Sequence, residues 1–174
     1  MEINVTTITK GLPGITPIAA SQLYEAFEVC MHKCNHGEKA VLKLNGMTAE
    51  SIDLIWTDSF NDQKERAYAD MQYTVEHGAV CLSVMLSTTL TPYTIIERSR
   101  KGTGFDYWLG DGSSKLFQKK ARLEVSGILK GDDATINRRY AAKEEQTRRS
   151  DNLLLPAYIS VIEFSTPKAI FDKR

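Results

Sequence analysis

The stretch ARLEVSGILK, residues 121–130, carries a single carboxylate inside an otherwise apolar run. Side chains of a β-strand alternate between its two faces, so we expect Glu124 and Ser126 on one face and Leu123 and Val125 on the other. A carboxylate that is buried without a partner is costly, because burial removes its hydration. The stretch therefore predicts a buried strand whose one acid needs a cation beside it.

The chain of 174 residues has the composition of a globular protein, with 42% hydrophobic and 25% charged residues. Its length predicts one domain, residues 1–174, with a core of its own. No apolar run approaches the roughly 18–20 residues needed to cross a bilayer. The first residues, MEINVTTITK, lack the basic start and the apolar stretch of a secretory signal. These features predict a cytoplasmic protein that does not enter membranes.

The charges are balanced overall but unevenly distributed. The chain has 22 basic and 22 acidic residues, whereas residues 98–149 hold 13 Lys or Arg against 7 Asp or Glu, a local charge of +6. A net charge of zero argues against a protein that coats nucleic acid non-specifically. The basic segment fits a surface that faces a phosphate backbone and also fits a solvated surface, and charge alone does not decide between them.

Hydrophobic spacing along the chain predicts an α/β or α+β fold built in layers. A long amphipathic helix ends before Pro92, Thr16 or Ser21 caps the first helix, and Asp132 or Asp133 caps the last one. The segment GDGSS, residues 110–114, predicts a hairpin-type turn. The predicted elements are, in order, a strand at 5–9, a helix at 18–34, an antiparallel pair at 40–46 and 51–58, a helix from 60 to 90, strands at 93–99, 105–110 and 121–129, a helix at 132–149 and a last strand at 156–165.

Three acids lie at informative places in this order of elements. Glu76 is in the middle of the long helix, Asp106 is in an aromatic strand, and Glu124 is in the next strand. Carboxylates on adjacent strands repel each other, and each is costly to bury unpaired. A divalent cation removes both problems, and Mg²⁺ takes one or two carboxylates together with water and substrate phosphate. A metal held in this way generates hydroxide and neutralises charge on a phosphodiester.

Residues 70–165 resemble the PD-(D/E)xK, or restriction-endonuclease-like, nuclease superfamily. The resembling stretches are VEHGA, GTGFDYWLG, ARLEVSG and the closing helix with PAYISVIEF. The resemblance implies a core of helix, three strands, helix and strand over residues 64–165, with residues 1–60 as a strand and helix extension of unknown role. It also implies that Asp106 and Glu124 bind Mg²⁺ or Mn²⁺ and that Glu76 assists them. The implied activity is hydrolysis of phosphodiester bonds by an endonuclease, and a homodimer is expected.

Ser126 stands where the superfamily motif has a lysine that holds or polarises the attacking water. Serine carries no charge and does not replace that electrostatic role. In the superfamily a basic or polar partner is sometimes supplied from the following helix, where Lys143 and Gln146 are three residues apart and share a face. Displacement of the lysine to Lys143 is the favoured interpretation, and Lys130 at the strand end is the other nearby lysine. Loss of activity is the alternative.

The loop RSRKGTG, residues 98–104, is basic and contains glycine, but it lacks the spacing of a P-loop. Arg98, Arg100 and Lys101 are the predicted contacts of this loop with nucleic acid, which is expected to be DNA. Gln146 is the predicted contact from the last helix.

Two hypotheses follow for the function. The first is a divalent-metal-dependent nuclease with Glu76, Asp106, Glu124 and Lys143 as catalytic residues. The second is a nuclease-like module that binds nucleic acid or a protein partner without cutting, as a subunit of a larger complex. A structural interpretation also exists for each acid, since Glu163 lies between two apolar residues of the last predicted strand and is expected to face solvent.

Overall fold

The computed structural model describes residues 1–112 and 117–174. Within these ranges the chain forms a mixed sheet of eight strands with four α-helices, which confirms a mixed α/β fold of the α+β kind. The strands are β1 (Glu2–Asn4), β2 (Lys39–Gly46), β3 (Glu50–Ile55), β4 (Thr94–Arg98), β5 (Tyr107–Gly110), β6 (Lys119–Ile128), β7 (Ala157–Glu163) and β8 (Lys168–Lys173). The helices are α1 (Pro17–Lys33), α2 (Asp62–Ala67), α3 (Met71–Leu90) and α4 (Asp133–Thr147).

The sheet has the strand order β1-β3-β2-β8-β7-β6-β5-β4. Strands β4, β5 and β6 are antiparallel neighbours, β6 and β7 are parallel, and β7 and β8 are antiparallel. Strand β2 pairs with β8 in parallel orientation and with β3 in antiparallel orientation. The antiparallel pairing of β2 with β3 confirms the prediction made for residues 40–46 and 51–58. The strands of residues 1–60 therefore belong to the same sheet as the strands that follow.

The two faces of β6 bury side chains against different helices. Leu123 and Val125 lie in the main core, which also contains the apolar residues of α1 and α3. Ile128, on the other face, packs with Ile159 of β7 and Ile136 of α4. The sheet is thus covered by α1 and α3 on one face and by α4 on the other, and the predicted alternation along β6 is confirmed.

The helix ends follow the capping residues. The Thr16 side chain accepts a hydrogen bond from the Ala19 amide before α1, and the Asp132 side chain accepts one from the Thr135 amide before α4. Each bond satisfies an amide that has no partner inside its helix. One of the two predicted caps is therefore used at each of these helices.

The predicted strand at residues 5–9 is wrong, because Val5–Lys10 forms a 3₁₀ helix. The Asn4 side chain accepts from the Thr6 amide, and Val5 and Ile8 are the buried residues. A spacing of three is one turn of a 3₁₀ helix, so this turn buries both apolar side chains on one side.

The predicted helix from 60 to 90 is two helices, α2 and α3. The Asp70 side chain accepts hydrogen bonds from the amides of Gln72 and Tyr73, and it thereby caps the N-terminus of a new helix, α3. Capping at Asp70 therefore interrupts a pattern whose composition favours helix throughout.

The strand predicted as the last one, β7, is followed by β8, which the sequence analysis missed. Ala169 and Phe171 of β8 are fully buried in the core. Residues 113 and 114 of the predicted hairpin-type turn lie outside the described residues. No helix within the described ranges is long and apolar enough to cross a membrane.

Candidate active site

A cleft of about 640 Å³ opens between α3 and α4 beside the second half of β6. The pairing of β5 with β6 ends at Tyr107 and Leu123, whereas β6 continues to Ile128. Among the described residues, positions 124–128 pair only with β7, so the space between the two helices is left open on the other side. The cleft is lined by polar residues from four elements, including Glu76, Arg98, Asp106, Ser126, Arg139 and Lys143.

Asp106 lies directly before β5 and is fixed to β6 by two hydrogen bonds. Its amide donates to the Leu123 carbonyl at 2.8 Å, and its Oδ2 accepts from the Val125 amide, also at 2.8 Å. The Val125 amide therefore donates to this carboxylate, in place of the backbone carbonyl that it would meet if the β5–β6 ladder continued. Burial raises the pKa of Asp106 above its ordinary value, while the Val125 amide and the charge of Lys143 act in the opposite direction.

Glu124 is 1% exposed and faces α4. Its Oε1 accepts from Lys143 Nζ at 2.6 Å and from Gln146 Nε2 at 2.8 Å. Burial and the neighbouring charge of Asp106 raise the pKa of Glu124 to about 7, although Lys143 opposes this shift. A hydrogen bond from the protonated Glu124 carboxyl to Asp106 further raises the pKa of Glu124 and lowers that of Asp106.

When both acids are ionised, Glu124 Oε2 has no hydrogen-bond donor among the described residues. A buried carboxylate oxygen without a partner destabilises the folded state. A cation bound at such an oxygen would remove this penalty, so the stabilisation from binding is expected to be largest there.

Two glycines allow the elements around the cleft to approach each other. A Cβ atom on Gly104 would collide with the Gln146 carbonyl at the end of α4, and Gly104 has φ of 86°. A Cβ on Gly127 would collide with the Val75 carbonyl of α3. The glycine before Asp106 thus lets this loop reach α4, and the glycine after Ser126 lets β6 reach α3.

Lys143 and Arg139 project from the same side of α4, one turn apart. Lys143 lies against Glu124, as described above, and also donates to Gln146 Oε1 at 3.2 Å. Arg139 Nη1 donates to Ser126 Oγ at 2.9 Å and, more weakly, to the Gly127 carbonyl at 3.4 Å. Arg139 was not among the site residues predicted from the sequence, although its spacing of four from Lys143 was a usable signal.

Of the other predicted residues, the structure brings Glu76 and Arg98 to the cleft but not Arg100, Lys101 or Gln146. Glu76 is exposed on α3 and lines the cleft, and Arg98 lines it with its guanidinium 5.9 Å from the centre of the Tyr107 ring. Arg100 and Lys101 are exposed in the loop before β5 and are not part of the lining. The predicted roles of all these residues in catalysis or nucleic-acid binding stay predictions.

Gln146, predicted to contact nucleic acid, has its side-chain amide committed to Glu124 and Lys143. It is half-buried and therefore supports the carboxylate from inside the fold.

The donor set of the cleft fits a hard divalent cation held by two carboxylates. Within residues 1–112 and 117–174, no three His, Cys, Asp or Glu side chains are grouped to hold a metal, so Glu76 does not complete a three-acid site. Asp106 and Glu124 remain as two neighbouring acids, of which Asp106 is half-buried and Glu124 is buried and has an unpartnered oxygen. Mg²⁺ commonly uses one or two carboxylates and fills its other positions with water and phosphate oxygens.

Comparisons of the chain with protein-family models, with curated proteins and with solved structures gave no match.

Proposed function

We propose that the protein is a Mg²⁺- or Mn²⁺-dependent nuclease that hydrolyses phosphodiester bonds of DNA. The observation that carries this proposal is that Asp106 and Lys143 line one cleft, while Glu124, buried beside it, pairs with Lys143 and lies close enough to Asp106 for that charge to raise its pKa. Structural acids in a protein interior are normally neutralised by hydrogen bonds, whereas this pair keeps a raised pKa and an unpartnered oxygen.

The order of elements also supports the proposal. From α3 the chain runs through β4, β5, β6, α4 and β7, which is the helix, three strands, helix and strand that the resemblance to restriction-endonuclease-like nucleases implies. Asp106 precedes the second of these strands, Glu124 is in the third, and Lys143 is on the following helix.

Asp106 and Glu124 are the residues that would hold the metal, and a bound divalent cation supplies an activated water and neutralises charge on the phosphate. Lys143 and Gln146 fix the carboxylate of Glu124 by donating to its Oε1, and Oε2 is left without a donor among the described residues. The Val125 amide fixes the Asp106 carboxylate in the same way. Each acid is therefore oriented by the protein before any ligand binds, which lowers the reorganisation needed for catalysis.

A nuclease-like module that binds without cutting is the second candidate. The ion pair of Lys143 with Glu124 favours it, because one carboxylate oxygen is already neutralised and Ser126 adds no charge of its own. The two candidates differ in whether the acid pair binds metal and whether DNA is cut.

Titration calorimetry with Mn²⁺ and cleavage of supercoiled plasmid with Mg²⁺ test the proposal on the wild type and on Asp106→Asn. Asparagine keeps an acceptor for the Val125 amide, so the fold is preserved while a charge is removed. We expect metal affinity and cleavage to fall at least about 100-fold. Asp53→Asn, an exposed acid on β3, is the matched control and should behave as the wild type.

Cleavage by Asp106→Asn at the wild-type rate would refute the proposed site. A wild type that neither binds Mn²⁺ nor cuts plasmid, linear DNA or RNA would favour the non-cutting module.

A further inference from the structure

Arg139 is a cation that lines the cleft and donates to neutral groups. Its Nη1 donates to a hydroxyl and a carbonyl, which are both neutral acceptors. Among the described residues it forms no ion pair, whereas Lys143 on the next turn pairs with Glu124 and Arg148 pairs with Glu145. A guanidinium has five N–H donors, so most of its donors stay available for a ligand.

Ser126 explains why this cation lies at the cleft. The serine side chain is short and offers a hydroxyl acceptor, and the Arg139 guanidinium comes to that hydroxyl from α4. A long cationic side chain at position 126 would occupy the same space and would repel Arg139. Ser126 and Arg139 thus form a matched pair in which the strand supplies the acceptor and the helix supplies the charge.

We infer that Arg139 binds a phosphate oxygen of a nucleic-acid backbone at this cleft, an inference that rests on the proposed function. The planar guanidinium fork matches two oxygens of a phosphate, and it is less strongly hydrated than an ammonium group. Arg98 lines the same cleft from the end of β4, so that arginines from two elements line the cleft together with Asp106. In a nucleic-acid backbone each phosphate has two free oxygens, so two successive phosphates can bind one arginine each.

The test is DNA binding without metal, in the Asp106→Asn background, where neither cleavage nor the metal site contributes. Fluorescence anisotropy with a short fluorescein-labelled DNA duplex in EDTA compares Arg139→Gln with Arg138→Gln. Arg138 is the matched control, because it is the adjacent exposed arginine of α4 and its one described side-chain partner is Thr135. We expect Arg139→Gln to weaken binding about ten-fold and to lower the salt dependence by about one charge, and Arg138→Gln to change affinity less than about two-fold.

Equal effects of the two substitutions, or no binding of the duplex by the Asp106→Asn parent at low salt, would overturn the inference. Arg139→Lys is the second variant, and an affinity between those of the parent and Arg139→Gln would support the phosphate contact. Displacement of the duplex by inorganic phosphate, at an ionic strength where chloride has no effect, that is as strong for Arg139→Gln as for the parent would show that the phosphate contact lies elsewhere and would overturn the inference. These outcomes are independent of the cleavage test, because the parent variant already lacks Asp106.

Discussion

Glu124 and Glu163 are two acids on neighbouring parallel strands, and the protein treats them in opposite ways. Both lie between apolar residues, and both are almost completely buried, at 1% and 0% exposure. The Glu163 carboxylate accepts from the amides and hydroxyls of Ser165 and Thr166, and also from the Gly131 amide. When Glu124 and Asp106 are both ionised, only Oε1 of Glu124 accepts hydrogen bonds from the described residues, and Oε2 accepts none.

The pKa values follow these surroundings. Burial would raise the pKa of Glu163, but the hydrogen bonds from Ser165 and Thr166 outweigh it, and the pKa lies below its ordinary value. Burial and the charge of Asp106 raise the pKa of Glu124 to about 7. Burial alone therefore does not raise the pKa of an acid, and the number of donors around the carboxylate separates Glu163, which its own turn satisfies, from Glu124, which keeps an open oxygen.

The largest expected effect is on cleavage. Glu124→Gln removes the charge of one proposed metal ligand, and we expect the rate of Mg²⁺-dependent cleavage to fall about 1000-fold, or about 4 kcal/mol. Glu163→Gln, assayed well below its melting temperature, should stay within about two-fold of the wild type, since Glu163 is engaged with its own turn. Plasmid cleavage measures both variants, and similar losses in the two would remove the functional distinction between these acids.

The next effect is on stability and concerns Glu163. Glutamine replaces one acceptor oxygen by an NH₂ group that faces N–H and O–H donors, so Glu163→Gln should lower the free energy of unfolding by about 2–3 kcal/mol at neutral pH. The folded-state pKa of Glu163 is lowered, so its stabilisation is complete above the ordinary value of 4.5 and is lost as pH falls through the folded pKa. Urea unfolding at several pH values tests this, and a deficit that persists unchanged in acid would contradict it.

The smallest effect has the opposite sign. The folded-state pKa of Glu124 is raised from 4.5 to about 7, so ionisation destabilises the folded state increasingly between these values and fully above them. Glu124→Gln avoids this penalty but weakens the contact with Lys143, so we expect a net gain of about 1 kcal/mol at pH 8 that disappears near pH 4.5. The same urea series measures it, and a loss of stability at pH 8 would show that Lys143 fully compensates Glu124.

Much of the site could be predicted from local patterns. Alternation along β6 placed Glu124 and Ser126 on one face, and the spacing of Lys143 and Gln146 on a helix placed both against that face. These predictions succeed because strand and helix periods act over a few residues.

The rest depends on residues that are far apart in the chain. The Glu163 carboxylate is satisfied partly by Gly131, 32 residues earlier, so its pattern in the sequence is the same as that of an exposed strand acid. Arg139 was missed because a charged helix shows many candidate cations, and only the packing of α4 on β6 selects one. The break before α3 was missed because a single capping aspartate overcame a continuous helical composition.

The position of β8 has a consequence for how the chain folds. Strand β8 lies between β7 and β2, so β2 gains its parallel neighbour from residues more than a hundred positions later in the sequence. Contacts of such long sequence separation form slowly, because loop closure costs entropy before the contact stabilises the chain. Until β8 arrives, β2 presents an open edge with unpaired amides and carbonyls. We therefore expect the β2 edge to be the site at which partly folded chains associate during synthesis or refolding.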